Sequence, residues 1–127
     1  MMIRVLLAAQ VLFLLACASD PSSGVPNRDR DLITLDEIAA LPVTNAWDLV
    51  DRLRPNWLRN RGPASIRSSA PTYPQVYIDD IRSGNMEILY RISSQVIREI
   101  RHINGRDATT RWGMDHGAGV ILITTGR

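Results

Sequence analysis

The sequence predicts a small α+β domain in which short helices pack on a small mixed sheet, preceded by an export peptide and a disordered tether. Three observations predict it. Apolar residues recur at helical spacing behind Asn45, two β-branched runs at residues 75–78 and 119–125 are separated by further helical patterns, and residues 1–18 are apolar except for Arg4 and Gln10. At 127 residues the chain has room for one small core. Its formal charge of +2 is spread through mixed sequence, too weak a field to argue for nucleic acid. All 15 basic residues are arginine, a bias that reads first as nucleotide composition. The single cysteine excludes an intramolecular disulfide and an all-cysteine metal site.

Residues 1–16 have the form of a secretory signal peptide: a start carrying Arg4, an apolar run over residues 5–16, then small residues ahead of a Pro/Ser/Gly-rich stretch. The run is shorter than the roughly 20 residues of a membrane-spanning helix. Leu14-Leu15-Ala16-Cys17 resembles the lipobox of bacterial lipoproteins, although Leu15 stands where a small residue is commoner. The resemblance implies cleavage before Cys17 and lipidation of its new amino terminus. Each buried methylene of such an anchor contributes ~0.8 kcal/mol of membrane affinity. The alternatives are an ordinary cysteine in a plain signal peptide and a buried thiol. In lipoprotein sorting an acidic residue directly after the lipidated cysteine retains the protein in the inner membrane, so with Ala18 there the resemblance implies the outer membrane and a lipid-anchored, periplasm-facing domain. Residues 17–30 are small, polar and proline-containing, as in a flexible tether, and residues 31–127 form the folded domain.

The domain opens with a capping box. Thr34 and Glu37 can satisfy each other's free backbone donors, with Leu35, Ile38 and Leu41 on one face and Pro42 ending the helix. Asn45 is a second N-cap, followed by Ala46, Leu49, Val50 and Leu53 at i, i+3, i+4 and i+7, and Pro55 closes this helix. Residues 56–74 read as a loop with at most one edge strand. Gln75-Val76-Tyr77-Ile78 reads as a buried strand stopped by a turn at Asp79-Asp80. Asn85 can cap a helix over residues 86–92, with Ile88, Leu89 and Ile92 inward, and Ser94 can cap another turn. Val96, Ile97, Ile100 and Ile103 have helical spacing, with a strand over residues 98–103 as the rival. Gly105 breaks that element, and residues 107–112 make a single turn ending at Gly113. Residues 119–125 are apolar and β-branched throughout, as in a strand covered on both faces.

Taken together, residues 76–125 resemble the plug domain of TonB-dependent outer-membrane receptors. The residues that carry the likeness are the strand end Tyr77-Ile78-Asp79, the Ile-rich segment closing at Gly105, Trp112-Gly113, and the run from Gly117 through Gly119 to Thr125. The opening of the domain is also similar, with a short helix after Ile33-Thr34, a second helix, and the turn Arg54-Pro55-Asn56-Trp57. The resemblance implies that Asp79, Gly105, Gly113, Gly117 and Gly119 are structural positions of the motif, and it favours a strand near residues 100–103 over the helical period. Plugs usually carry Gly where this chain has Asp80. The chain ends two residues after the last strand, whereas a receptor barrel needs on the order of twenty strands, so the expectation is a plug-like domain without the pore.

Asp115-His116 invites an acid/base or metal reading, but chain neighbours on a loop rarely converge, and no second histidine stands at ligand spacing. Gly117-Ala118-Gly119 precedes a strand rather than opening a helix, so it reads as a tight turn and not a phosphate loop. Trp47, Trp57 and Trp112 read as core or half-core. Arg52, Arg54, Arg59, Arg61 and Arg67 read as a solvated basic face. No constellation supports an enzyme, a cofactor or a metal. The expected function is therefore a non-enzymatic outer-membrane lipoprotein, anchored through Cys17, that acts as an accessory module toward a receptor barrel or a TonB-type energy transducer. The alternative is a small-molecule-binding lipoprotein that uses the loop carrying Trp57, Arg59, Arg61 and Arg67.

Overall fold

A computed structural model describes residues 29–65 and 68–126, with the backbone alone for 63–65 and 68–71. The export peptide, Cys17 and Arg67 lie outside the described residues. Five strands form one mixed sheet: β1 (Leu32–Ile33), β4 (Gln75–Ile78), β5 (Ile81–Gly84), β6 (Ile97–Ile103) and β7 (Val120–Thr125), in the order β1-β6-β7-β4-β5. The β4/β7 pair is parallel and the other pairs are antiparallel. Among the described residues three helices, α1 (Leu35–Ala39), α2 (Ala46–Leu53) and α3 (Gly105–Trp112), and several 3-10 turns cover the sheet. The domain is α+β, with short helices on a mixed sheet.

Local chemistry explains the first half. The Thr34 hydroxyl accepts from Glu37 N at 3.4 Å, and Glu37 Oε2 accepts from Thr34 N at 3.2 Å, closing the capping box. Asn45 Oδ1 accepts from Asp48 N at 2.9 Å and starts α2, which buries Ala46, Leu49 and Val50. Arg54 ends α2, and Pro55 opens a 3-10 turn over Pro55–Leu58. Asp29 and Arg30, expected in the tether, belong to the domain: their carbonyls accept from the Arg54 guanidinium at 3.0 Å and the Trp57 indole at 3.2 Å.

Both faces of β7 are covered. Ile121 and Ile123 join Val76, Leu49, Val50, Leu89 and Ile100 in the main core under α1 and α2. Val120 packs on the other face with Tyr77 and Ala108 of α3, with Leu122 and Trp112 against them. Each fully buried Leu or Ile contributes ~1.5–3 kcal/mol, so these central strand residues dominate the stability of the domain.

The structure corrects several expectations. Residues 63–65 and 68–71 pair as a two-stranded hairpin, β2 (Pro63–Ser65) against β3 (Ser68–Pro71), where at most one edge strand was expected. The Asp79-Asp80 turn leads directly into β5, a strand whose sequence, Ile-Arg-Ser-Gly, carries too little apolar content to announce itself. Residues 86–91 are 3-10 rather than α, and Asn85 makes no side-chain cap there. Ser93, not Ser94, caps the following turn, while the buried Ser94 hydroxyl donates to the Val43 carbonyl at 2.6 Å. Helix α3 starts at Gly105 and not at residue 107, because the Asn104 side chain accepts from Asp107 N at 3.1 Å and supplies the N-cap.

The Ile-rich segment is the strand β6. Its pairing with β7 shifts register between Ile97 and Glu99, so Ile97 and Ile100, three apart, both face the core. A bulge of this kind inserts one residue into a two-residue repeat and thereby imitates a helical period.

Candidate functional site

A polar cleft of about 490 Å3 lies between the base of the β2/β3 hairpin and the turn before β7. Arg61, Gly62 and Thr72 line one wall, and Met114, Asp115, Gly117 and Ala118 the other. The hairpin wall is pinned by Asn60, whose side-chain carbonyl accepts from Gly62 N at 2.8 Å and Thr72 N at 3.2 Å. Arg61 N donates to Thr72 O, and Thr72 N donates to Gly62 O, each at 3.3 Å.

Behind this wall sits His102, buried on β6. Its Nδ1 lies 3.4 Å from the Asp31 carboxylate and its Nε2 3.4 Å from Arg61 Nη2. A guanidinium can only donate, so Nε2 accepts and Nδ1 carries the proton toward Asp31. Burial pushes the imidazole below its ordinary value of 6.5; the Asp31 hydrogen bond opposes that shift and the Arg61 charge reinforces it. The Trp57 ring stacks on His102 at 5.4 Å between centroids, 21° from parallel.

The opposite wall is held by the other histidine. His116 Nδ1 lies 3.1 Å from the Gly113 carbonyl, which can only accept, so Nε2 receives the Tyr77 hydroxyl at 2.9 Å. Both the histidine and the tyrosine are buried, and Trp112 packs against Tyr77 at 4.8 Å between ring centroids. His116 therefore points inward while Asp115 is exposed in the cleft, so the two do not converge as an acid/base pair.

The residues named for the resemblance lie at both ends of β7, Asp79 away from the cleft and Gly105, Gly117 and Gly119 beside it. Asp79 Oδ1 accepts from Thr125 N at 2.9 Å and Oδ2 from the Thr125 hydroxyl at 2.6 Å, tying the β4/β5 turn to the end of β7. A Cβ at Gly105 would lie 2.0 Å from Gly117 O, and one at Gly119, where φ is +95°, 2.6 Å from Ile103 O. Gly113 caps α3, its N–H donating to Thr109 O at 2.9 Å. Gly117 differs from these: its backbone is right-handed helical, and a Cβ would meet open space, so the turn there does not require glycine.

The arginine face divides. Arg54 is mostly buried and ion-paired to Glu37, Arg61 touches His102, and Arg52 and Arg59 are exposed. Trp57 is buried at 4% exposure, so within the expected binding loop it supports His102 rather than facing solvent. A second groove of about 390 Å3 is lined by Trp47, Leu58, Tyr73, Asn85, Met86, Glu87 and Tyr90, with Trp47 and Tyr90 stacked at 4.5 Å. Among the described residues, no group of three or more His, Cys, Asp or Glu is placed to hold a metal ion, and no helix is long and apolar enough to cross a membrane.

Sequence reasoning weighed both histidines only as chemical groups and missed Tyr77 and Thr72 as members of the site. For His102 the only local signal was its place in the Ile-rich segment, and for His116 the sequence carried none, since its chain neighbours Asp115 and Gly117 are exposed. Comparison with family models, with curated proteins and with solved structures finds no match to this chain.

Proposed function

We propose that this chain works by binding, as a non-enzymatic outer-membrane lipoprotein whose plug-like domain serves receptor and transport systems as an accessory module. The observation that supports the reading is that residues of the resemblance fasten both ends of β7. Asp79 is tied to Thr125 across the parallel β4/β7 pair, and Gly105 and Gly119 permit the close backbone approaches that bring α3 and β6 against the turn before β7. Residues scattered over nearly fifty positions thus support one unit. A docking surface is available as well: β5 is an edge of the sheet, and Ile81 on it is 70% exposed. An unpaired edge recruits an extended segment through backbone hydrogen bonds, the mode expected for a receptor or an energy-transducing partner.

The test combines anchoring and docking. A photo-cross-linking residue at Ile81 in living cells is expected to capture a receptor barrel or a transducer, and Cys17→Ala is expected to release the protein from the outer-membrane fraction. Membrane association unchanged by Cys17→Ala, or capture of only unrelated proteins, would overturn the proposal.

A further inference from the structure

Two buried histidines each hold one wall of the cleft between the hairpin and the turn before β7. His102 meets Arg61 from behind, and His116 pins the turn that carries Asp115. Burying an imidazole costs desolvation that an apolar residue at the same place would avoid. In both cases the return is the same, a polar surface group fixed at the rim of one cavity.

The charges on the two walls are opposite and unspent. Among the described residues neither Arg61 nor Asp115 enters an ion pair, although both line the same cleft. Among the described residues Arg61 Nη2 meets the imidazole Nε2, a contact that orients the guanidinium without neutralising it. The cavity volume, about 490 Å3, falls in the range of small-molecule sites. A simple anion would gain from Arg61 and lose against Asp115, and a simple cation the reverse. A ligand carrying both charges satisfies both walls, and each wall rejects the half-ligand of its own sign.

We infer that this cleft binds a small zwitterion, a ligand whose carboxylate lies against Arg61 and whose ammonium lies against Asp115, such as an amino acid or the joined ends of a short peptide. The inference goes beyond the docking function and does not rest on it, since it uses neither the β5 edge nor the lipid anchor.

Titration of the isotope-labelled full chain in detergent with L-alanine, glycylglycine, acetate and ethylammonium, followed by amide resonances, tests it. Alanine or glycylglycine is expected to shift Gly62, Thr72, Gly117 and Ala118 saturably, with an affinity on the order of tenfold above acetate or ethylammonium. Whichever of the two binds tighter distinguishes a free amino acid from a peptide. Arg61→Gln is expected to remove the shifts. Asp115→Asn, an exposed substitution that leaves the core untouched, is expected to abolish the preference for the zwitterion while strengthening acetate binding. Absence of saturable shifts with both zwitterions, acetate binding as tightly as alanine, or an unchanged preference in Asp115→Asn would each overturn the inference.

Discussion

Arg54 and Glu37 share one mostly buried ion pair that also closes a helix cap. Arg54 Nη2 lies 3.1 Å from Glu37 Oε1 and 3.3 Å from Oε2, with the side chains 13% and 15% exposed. The same guanidinium donates to the carbonyls of Asp29, Leu32 and Leu53, so one side chain fastens the end of α2 to the entry of the domain. Glu37 in turn holds the Thr34 N–H. Removing the arginine takes one charged donor from the Glu37 carboxylate and from the carbonyls of Asp29, Leu32 and Leu53. Arg54→Ala is therefore expected to cost ~3 kcal/mol in urea unfolding. Arg54→Lys is expected to recover less than half of that, because an ammonium cannot reproduce the fork. Loss of less than ~1 kcal/mol on Arg54→Ala would place this pair with ordinary surface ion pairs.

His102 makes the domain sensitive to acid. Its native pKa is lowered, chiefly by burial, from the ordinary 6.5. Above that value neither the folded nor the unfolded chain binds the proton, and the stability is fully present. As the pH falls below 6.5 the unfolded imidazole protonates first, so stability declines until the pH has passed the native pKa. The charged groups facing the ring are Asp31 and Arg61, and protonation sets the ring against Arg61. Melting temperatures of the wild type and of His102→Gln, compared from about pH 7.5 down to about pH 5, are expected to fall more steeply in the wild type. Parallel curves would show that His102 contributes nothing to the acid sensitivity.

Asp80 stands where glycine would be easier. Asp79 and Asp80 have φ of 48° and 67° in a two-residue connection between Ile78 and Ile81, the geometry of a type I′ turn. Asp80→Gly relieves a left-handed conformation by about 1 kcal/mol but removes the exposed 2.8 Å pair with Arg111. That pair contributes ~0–1 kcal/mol and is screened by salt. The expected result is a small gain in stability that grows between low and high salt. A loss at both would mean that Asp80 is held by more than its charge.

Gly105 and Gly119 are close-approach positions, and alanine at either is expected to be severe. The added Cβ meets backbone oxygen in both cases, Gly117 O or Ile103 O, so no side chain can rotate away. Gly119→Ala also forces a left-handed backbone. Each substitution is expected to cost ~3 kcal/mol or more and to lower soluble yield. Gly117→Ala, with open space and right-handed φ, is expected to stay within about 0.5 kcal/mol of wild type and serves as the control.

Legibility followed the range of the forces involved. The capping box at Thr34, the N-cap at Asn45, the strand β7 and the turn at Asp79-Asp80 are written in neighbouring residues, and all appear as read. Strand β5 was invisible because its edge position asks for no apolar face. The bulge in β6 disguised a strand as a helix, since Ile97 and Ile100 reach one face only when a residue is inserted between them. Of the cleft, Arg61, Asp115, Gly117 and Ala118 were named from sequence, but as parts of separate features.

By itself the sequence determined the fold class, the starts of the first two helices and the central strand, because caps, apolar periods and β-branching act over a few residues. Only the tertiary structure decided what the polar residues are for. Arg54 reaches Glu37 across 17 positions, Tyr77 meets His116 across 39, and His102 meets Asp31 across 71. Such contacts depend on which strands pair and in what register, and no local pattern records that choice. The basic face expected around Arg59 therefore became a staple at Arg54 and a cleft wall at Arg61, and two histidines without apparent partners became the supports of one cavity.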